Sequence, residues 1–473
     1  MKKSILFIAF LFPFSSILFG QDSTRVLYLQ DLFALIIEHH PMAQQANLYN
    51  EEAVALMRKA RGNFDPKLEG DWSRKSFDGK NYFNVREAGM KLPTLLGVTF
   101  KADYTWTDGV FLNPERSLPD VGQAAVGLEW NVGRGLFIDE GRMERQQAQL
   151  AGGLATAQRR SELNRLLEKA VSIYWSWVLA HRQSLIFQKA LDAARQRLDA
   201  VRESFLSGDK PAIDTLEATI QLQTREYDLS VARMNYQSIA FELSNFLWRD
   251  GRVATDWANQ VRPPKTADIE NFPLPARQTL IQSIGIGHPE LRRYQLELSQ
   301  LEIEEKWKRE QLKPDLKLSY SFLGDGLNFN AYPEEPALSS LVSENYKFGI
   351  SISHPLWLRK ESASLQLTRI KMSRKQLGLE NKRQELLAKI NFLYNDWENQ
   401  SQQLELLQEL TANYRGMLDG ELEKFRLGKS SLFLVNSREQ KWIDSQVKLL
   451  QLEIKLQQTL YKILATAAIL YES

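Results

Sequence analysis

The sequence predicts a mainly helical chain with a smaller β component, laid out as two copies of one unit. Three observations lead there. A block that begins at His40 recurs from His288 with its order kept. Two stretches, residues 139–207 and 360–427, contain no proline and are dominated by helix formers. Short segments between the helices alternate apolar and polar residues with a period of two.

The N-terminus reads as an export signal. Lys2 and Lys3 precede the apolar run SILFIAFLFPFSSILFG, and the chain turns polar at Gln21. Cleavage after Gly20 would remove residues 1–20, although Leu18 departs from the small-residue rule at such sites. Pro13, Ser15 and Ser16 interrupt the run, which argues against an anchoring helix. The chain has no cysteine, so an exported form has neither disulfides nor a lipidated cysteine, and packing or assembly must stabilise it. Of its 473 residues 43% are hydrophobic and 25% charged. A mean hydropathy of −0.37 excludes a polytopic helical membrane protein. A net charge of +2 gives no reason to expect a nucleic-acid partner.

The repeat sets the domain organisation. With HPMAQQANLYNEEAVALMRKARGNFDPKLEGDWS laid on HPELRRYQLELSQLEIEEKWKREQLKPDLKLSYS, Pro41 falls on Pro289 and Pro66 on Pro314. Leu68 then meets Leu316, and Trp72 meets Tyr320. Aligned on Gly208 and Gly428, Phe205 falls on Phe425, Leu136 on Leu356 and Phe137 on Trp357. The second offset is the shorter, so the first copy carries an insertion between Trp72 and Leu136, placed at about residues 75–119. The first repeat is residues 21–248 and the second 280–473. Residues 249–279, rich in proline and without periodicity, form a linker.

Each copy reads as a helix, a strand region, a very long helix, a glycine turn and a returning helix. Four segments alternate cleanly: residues 67–73, 123–133, 315–322 and 346–353. In the last, Tyr346, Phe348, Ile350 and Ile352 oppose Lys347, Gly349, Ser351 and Ser353. A fifth, residues 98–106, lies in the insertion, and residues 84–92 before it alternate weakly. A sheet with one apolar and one polar face fits a soluble sheet packed on one side. It equally fits a transmembrane barrel, with Trp72, Trp106, Trp130, Phe137, Tyr320, Tyr346 and Trp357 as interfacial girdles. The strands alone leave both open.

The proline-free stretches would each extend on the order of 100 Å at ~1.5 Å per residue, and helices of that length need neighbours of similar length. Leu191, Ala194, Leu198, Val201 and Phe205 follow a heptad seam, and Ile443, Val447, Leu450, Ile454 and Tyr461 keep a similar one. These side chains are read as packing. Gly208 and Gly428 suit the left-handed residue that closes a helix. Pro211 suits the first turn of one returning helix, and Ser430 or Ser431 can cap the other. Both sites are helical hairpins. A chain with four convincing strands, and at most six, cannot close a membrane barrel of about eight or more alone, and an open sheet edge in lipid costs several kcal/mol per unpaired amide, so several chains must share the wall.

The duplicated layout resembles the outer membrane efflux protein family, the TolC-like exit ducts, over nearly the whole mature chain. The resemblance rests also on FLSGDKPAIDTLEA, FRLGKSSLFLVNSREQ and the strand-to-helix passages LEWNVGRGLFIDEGR and ISISHPLWLRKES. It implies a homotrimeric outer-membrane β-barrel with about four strands per chain, twelve in all, continuous with a long periplasmic α-helical barrel. It implies no catalysis and no cofactor. The partners it implies are outer-membrane lipid, a periplasmic adaptor and an inner-membrane pump of the RND or ABC type, in tripartite efflux or type I secretion. The hairpin tips would contact the adaptor: Phe205, Gly208, Asp209, Lys210 and Pro211, with Phe425, Gly428, Lys429, Ser430 and Ser431. Acidic residues past a tip narrow the closed mouth in the family, and Asp214 and Glu217 match in the first copy. In the second copy Leu434 and Ser437 stand there instead. Solvated charge in a first helical turn, favoured by the helix dipole, accounts for Asp214 and Glu217 as well. The insertion could lengthen strands, add a hairpin or form an extracellular loop.

Other chemistry is missing from the sequence. His39, His40, His181, His288 and His354 have no metal-ligand spacing, and His40 and His288 open the same helix in each copy, a structural role. There is no nucleophile elbow, phosphate loop or dinucleotide fingerprint. Two further readings are a periplasmic adaptor, which has one such hairpin rather than two, and a secreted coiled-coil structural protein.

Overall fold

The computed structural model describes residues 25–249, 252–253, 261–265, 273–327 and 345–470. The export signal at 1–20 and much of the linker at 249–279 lie outside the described residues. The first copy contributes β1 (Arg25–Val26), α1 (Leu29–His39), α2 (Pro41–Gly62), β2 (Lys67–Phe77), β3 (Lys80–Pro93), β4 (Val98–Asp108), β5 (Gln123–Asn131), α3 (Glu140–Leu206) and α4 (Ala212–Ser244). Short strands β6 (Trp248–Arg249), β7 (Arg252–Val253) and β8 (Val261–Arg262) follow. The second copy contributes α5 (Arg277–Gly287), α6 (Pro289–Glu310), β9 (Asp315–Asp325), β10 (Tyr346–Ser353), α7 (Arg359–Arg426) and α8 (Leu432–Thr466).

The helices of the two copies repeat one for one. Helices α2 and α6 have 22 residues each, and α1 and α5 have 11 each. The long helices α3 and α7 have 67 and 68 residues, and the returning helices α4 and α8 have 33 and 35. Among the described residues no helix is long and apolar enough to cross a membrane.

The chain divides into two compact units. The first comprises residues 1–40, 169–273 and 399–458. Its seam on α3 is buried at Leu191, Ala194, Leu198 and Val201, and on α8 at Ile443, Leu450 and Ile454. Phe205, the last position of the predicted seam, is instead 42% exposed, because the helix ends one residue later. Trp177 is fully buried between Tyr174 and Tyr236, and the Tyr174 hydroxyl donates to the Leu27 carbonyl at 3.0 Å.

The second unit comprises residues 41–168, 274–398 and 459–473. Its helical core gathers Leu280, Ile284, Leu291, Leu386, Ile390, Leu393, Ile463 and Ala467. An ion-pair ladder ties α6 to α7, with Glu290 2.9 Å from Lys382 and, one heptad on, Glu297 2.7 Å from Lys375. His288 caps α6. Its Nδ1 accepts from the Glu290 amide at 3.3 Å while its Nε2 lies 3.2 Å from the Thr466 carbonyl, an arrangement that only the neutral ring satisfies.

Burial lowers the pKa of His40, His181 and His288 below the ordinary 6.5. Their contribution is therefore complete above pH 6.5 and is lost as pH falls through the lowered folded-state values, because the unfolded chain takes up protons first. The melting temperature is expected to drop on going from pH 7.5 to pH 5. His288→Asn, which keeps a capping acceptor, should flatten that slope. An unchanged slope would show that these rings are not what acid disrupts.

The second unit also holds a six-stranded antiparallel sheet in the order β10-β9-β5-β4-β3-β2. The sheet thus has six strands, the most that the sequence allowed, against the about four per chain that the resemblance implied, and the insertion resolves as an added hairpin, β3–β4. Asp78 and Gly79, at φ 51° and 70°, make the two-residue turn into it.

Strand β3 read weakly because Arg86 stands on its apolar face. Its guanidinium lies 4.6 Å from the Trp106 ring and 5.8 Å from Trp72, so aromatic faces take up the charge that broke the alternation. Across the sheet the register places Leu68, Met90, Ala102, Val126, Phe322 and Tyr346 in one row. Leu92, Phe100, Leu128, Tyr320 and Phe348 form another on the same face. The opposite face carries Lys, Glu, Asp, Ser and Thr, with ion pairs Lys91–Glu69 and Lys101–Glu129.

Candidate functional site: the paired hairpin tips

Both tips close by the same backbone device. Gly208 has φ +81° and Gly428 φ +71°, a region that side chains disfavour. At the first tip the Gly208 amide donates to Phe205 O at 3.0 Å and the Asp209 amide to Ser204 O at 2.9 Å. At the second, Gly428 donates to Phe425 O at 3.0 Å and Lys429 to Lys424 O at 2.8 Å. These are two Schellman motifs, which satisfy the last carbonyls of α3 and α7.

The returning helices start differently. Pro211 is the N-cap of α4, one position earlier than the predicted first turn, and makes no side-chain cap. Of the two serines, Ser431 is the cap, accepting from the Leu434 amide at 3.3 Å. Ser430 instead donates to Glu421 at 2.6 Å. Lys210 of the first tip sits 4.5 Å over the Phe425 ring of the second, so the two tips touch. Beneath them Leu198, Val201, Ala218 and Leu432 form a buried cluster, against which Phe425 and Leu222 pack.

Of the acidic candidates, Asp214 is half-buried in the first turn of α4. Glu217 is tied in: it accepts from Asn436 Nδ2 on α8 at 3.0 Å. Asn436 Oδ1 in turn accepts from Arg197 on α3 at 3.0 Å. Arg197 also forks onto Glu439 with bonds of 2.7 and 2.8 Å. On the other side of Glu439 lies Arg225, fully buried, 3.9 Å from that carboxylate and 3.3 Å from Asp228. The chain of contacts therefore runs α4–α8–α3–α8–α4 and clamps the first hairpin to the second.

Sequence reading missed Arg197, Arg225, Asn436 and Glu439, since helices charged along their whole length do not mark which charges are buried. A ring of exposed apolar side chains surrounds the turns: Leu206, Ile213, Leu427 and Phe433. Among the described residues no group of His, Asp and Glu is placed to hold a metal.

Residues 280–467 match the family profile described as Outer membrane efflux protein. Among curated proteins none matches the chain by sequence. Solved structures match over nearly its full length. The outer membrane channel CmeC of Campylobacter jejuni superposes with a TM-score of 0.67 at 13% identity, covering 93% of this chain and 85% of that one. The outer membrane protein VceC of Vibrio cholerae gives 0.66 at 13%, covering 93% and 96%. The open-state outer membrane channel MtrE of Neisseria gonorrhoeae gives 0.64 at 14%, covering 95% and 93%.

Proposed function

We propose that this chain is an outer-membrane efflux-channel protein with a large periplasmic helical part, the passive exit duct of a tripartite efflux or type I secretion system. The profile match over residues 280–467 and the likeness in fold to solved outer-membrane channels support that reading. It works as a homotrimer. An inner-membrane pump of the RND or ABC type supplies the energy, through a periplasmic adaptor. The observation that carries this reading is the sheet: one face carries apolar rows, interrupted at Arg86 where the Trp72 and Trp106 rings flank the charge, and both of its edges lack a partner among the described residues. Such a surface suits lipid only when other copies complete it.

The adaptor docks on the tips, where Phe205, Gly208, Asp209, Lys210, Pro211, Phe425, Gly428, Lys429, Ser430 and Ser431 present the backbone turns between exposed apolar side chains. Asp214 and Glu217 narrow the mouth, with Glu217 held in place by Asn436. Extraction from outer membranes with detergent should yield a trimer that conducts ions in planar bilayers. Recovery as a water-soluble monomer without conductance would overturn the reading.

A further inference from the structure

We propose that the trimer's membrane wall has eighteen strands rather than twelve, because the inserted hairpin β3–β4 is built into the wall and each copy joins the next by pairing its β2 edge with the neighbour's β10 edge. The inference rests on the duct reading above and adds what the insertion does to the pore.

The hairpin is part of the wall by three signs. It is laddered on both sides, β3 against β2 and β4 against β5, along most of each strand. It continues two apolar rows without a break: Met90 and Ala102 stand between Leu68 and Val126, and Leu92 and Phe100 lie beside Leu128. Its strands are long enough, 14 and 11 residues against the ~9–11 that a tilted strand needs to cross a bilayer. A loop excursion above the membrane would need none of these.

The edges fit a second copy of this chain. The six strands alternate in direction along the sheet, so β2 and β10 run opposite ways. The β10 of one copy therefore meets the β2 of the next antiparallel, and both present the apolar face on the same side, through Leu68 and Trp72 on β2 and Phe348 and Ile350 on β10. Two different edges on one chain make a head-to-tail contact, which closes into a ring. Three copies of six strands close a wall with a circumference roughly half again that of a twelve-stranded one, in the size class where barrels enclose an aqueous channel. The lumen side carries Lys67, Lys91, Lys101 and Lys347 in one row, a wet, charged lining.

The chain has no cysteine, so single-cysteine variants carry one reporter each. Met90→Cys, Ala102→Cys, Ile350→Cys and Lys101→Cys would be labelled with an environment-sensitive fluorophore in vesicles of brominated phosphatidylcholine. Quenching is expected at 90, 102 and 350 and not at 101. Quenching at 350 but not at 90 or 102 overturns the eighteen-stranded wall and leaves the duct reading standing. Protection at all four positions overturns both. Leu68→Cys combined in turn with Tyr346→Cys, Phe348→Cys or Ile350→Cys should give disulfide-linked dimers and trimers at one register. Failure at every register removes the β2-to-β10 joint.

Discussion

Arg197→Ala is expected to release the two hairpins from each other, raising channel conductance and lowering thermal stability together. The side chain forks onto Glu439, whose carboxylate is only 5% exposed, and also holds Asn436, which holds Glu217. Without it Glu439 keeps, among the described residues, the Arg225 guanidinium at 3.9 Å. Removing one partner of a buried, hydrogen-bonded ion pair costs about 3–5 kcal/mol, because the other charge stays buried and uncompensated. The loss falls on the contacts that bind α3 and α4 to α8, so the duct reading expects the mouth to open. Arg197→Lys should fall between, since an ammonium cannot reproduce the planar fork. The double change Arg197→Met with Glu439→Leu separates the two effects. It should recover part of the stability by removing both charges, since buried Arg225 loses Glu439 but keeps Asp228 at 3.3 Å, yet leave the mouth loose, because Asn436 and Glu217 stay unanchored. Melting curves on the detergent-extracted protein and planar-bilayer recordings read both quantities. Arg197→Ala with unchanged melting and unchanged conductance would show that the clamp holds nothing.

That clamp marks where the sequence stops being informative. The duplication was legible because proline, glycine and aromatic landmarks keep their order, and α2 and α6 match in length as the landmarks require. The tips were legible because only glycine readily takes the backbone found at 208 and 428. Five strands were legible from a two-residue period, β4 in the insertion among them, whereas β3 was not. Arg86 interrupts its apolar face, and what excuses the charge, the Trp72 and Trp106 rings, sits on neighbouring strands. Its turn did carry a local signal, the Asp78–Gly79 pair, which is a strong hairpin former. Arg225 and Glu439 offer no such signal. Burial of one charge among many on a long helix depends on which helices meet there, and that is a property of three chain segments at once.

Trp177→Ala is expected to be the most damaging single change away from the tips. α3 is 67 residues long, and many of the side chains it buries are small, such as Ala148, Ala151, Ala155, Ala170 and Ala180, so its large buried aromatics carry an outsized share of the packing. Trp177 is the largest of the fully buried side chains: it is 0% exposed, its ring lies 5.9 Å from Tyr174 and 6.4 Å from Tyr236, and the Tyr236 ring stacks on it at 18°. Truncating a buried tryptophan to alanine costs about 3–5 kcal/mol through lost burial and the cavity that remains. Tyr174 would lose one wall of its pocket while its hydroxyl still holds the Leu27 carbonyl, so the damage should spread to the segment at Leu27, which follows the β1–β8 pairing. Trp177→Phe keeps a ring in the stack and should cost much less. The comparison is made by melting temperature and by near-ultraviolet dichroism, which reports the ordered aromatics. Equal melting for Trp177→Ala and the unaltered protein would mean that the helix draws its stability from its neighbours in the assembly and not from this cluster.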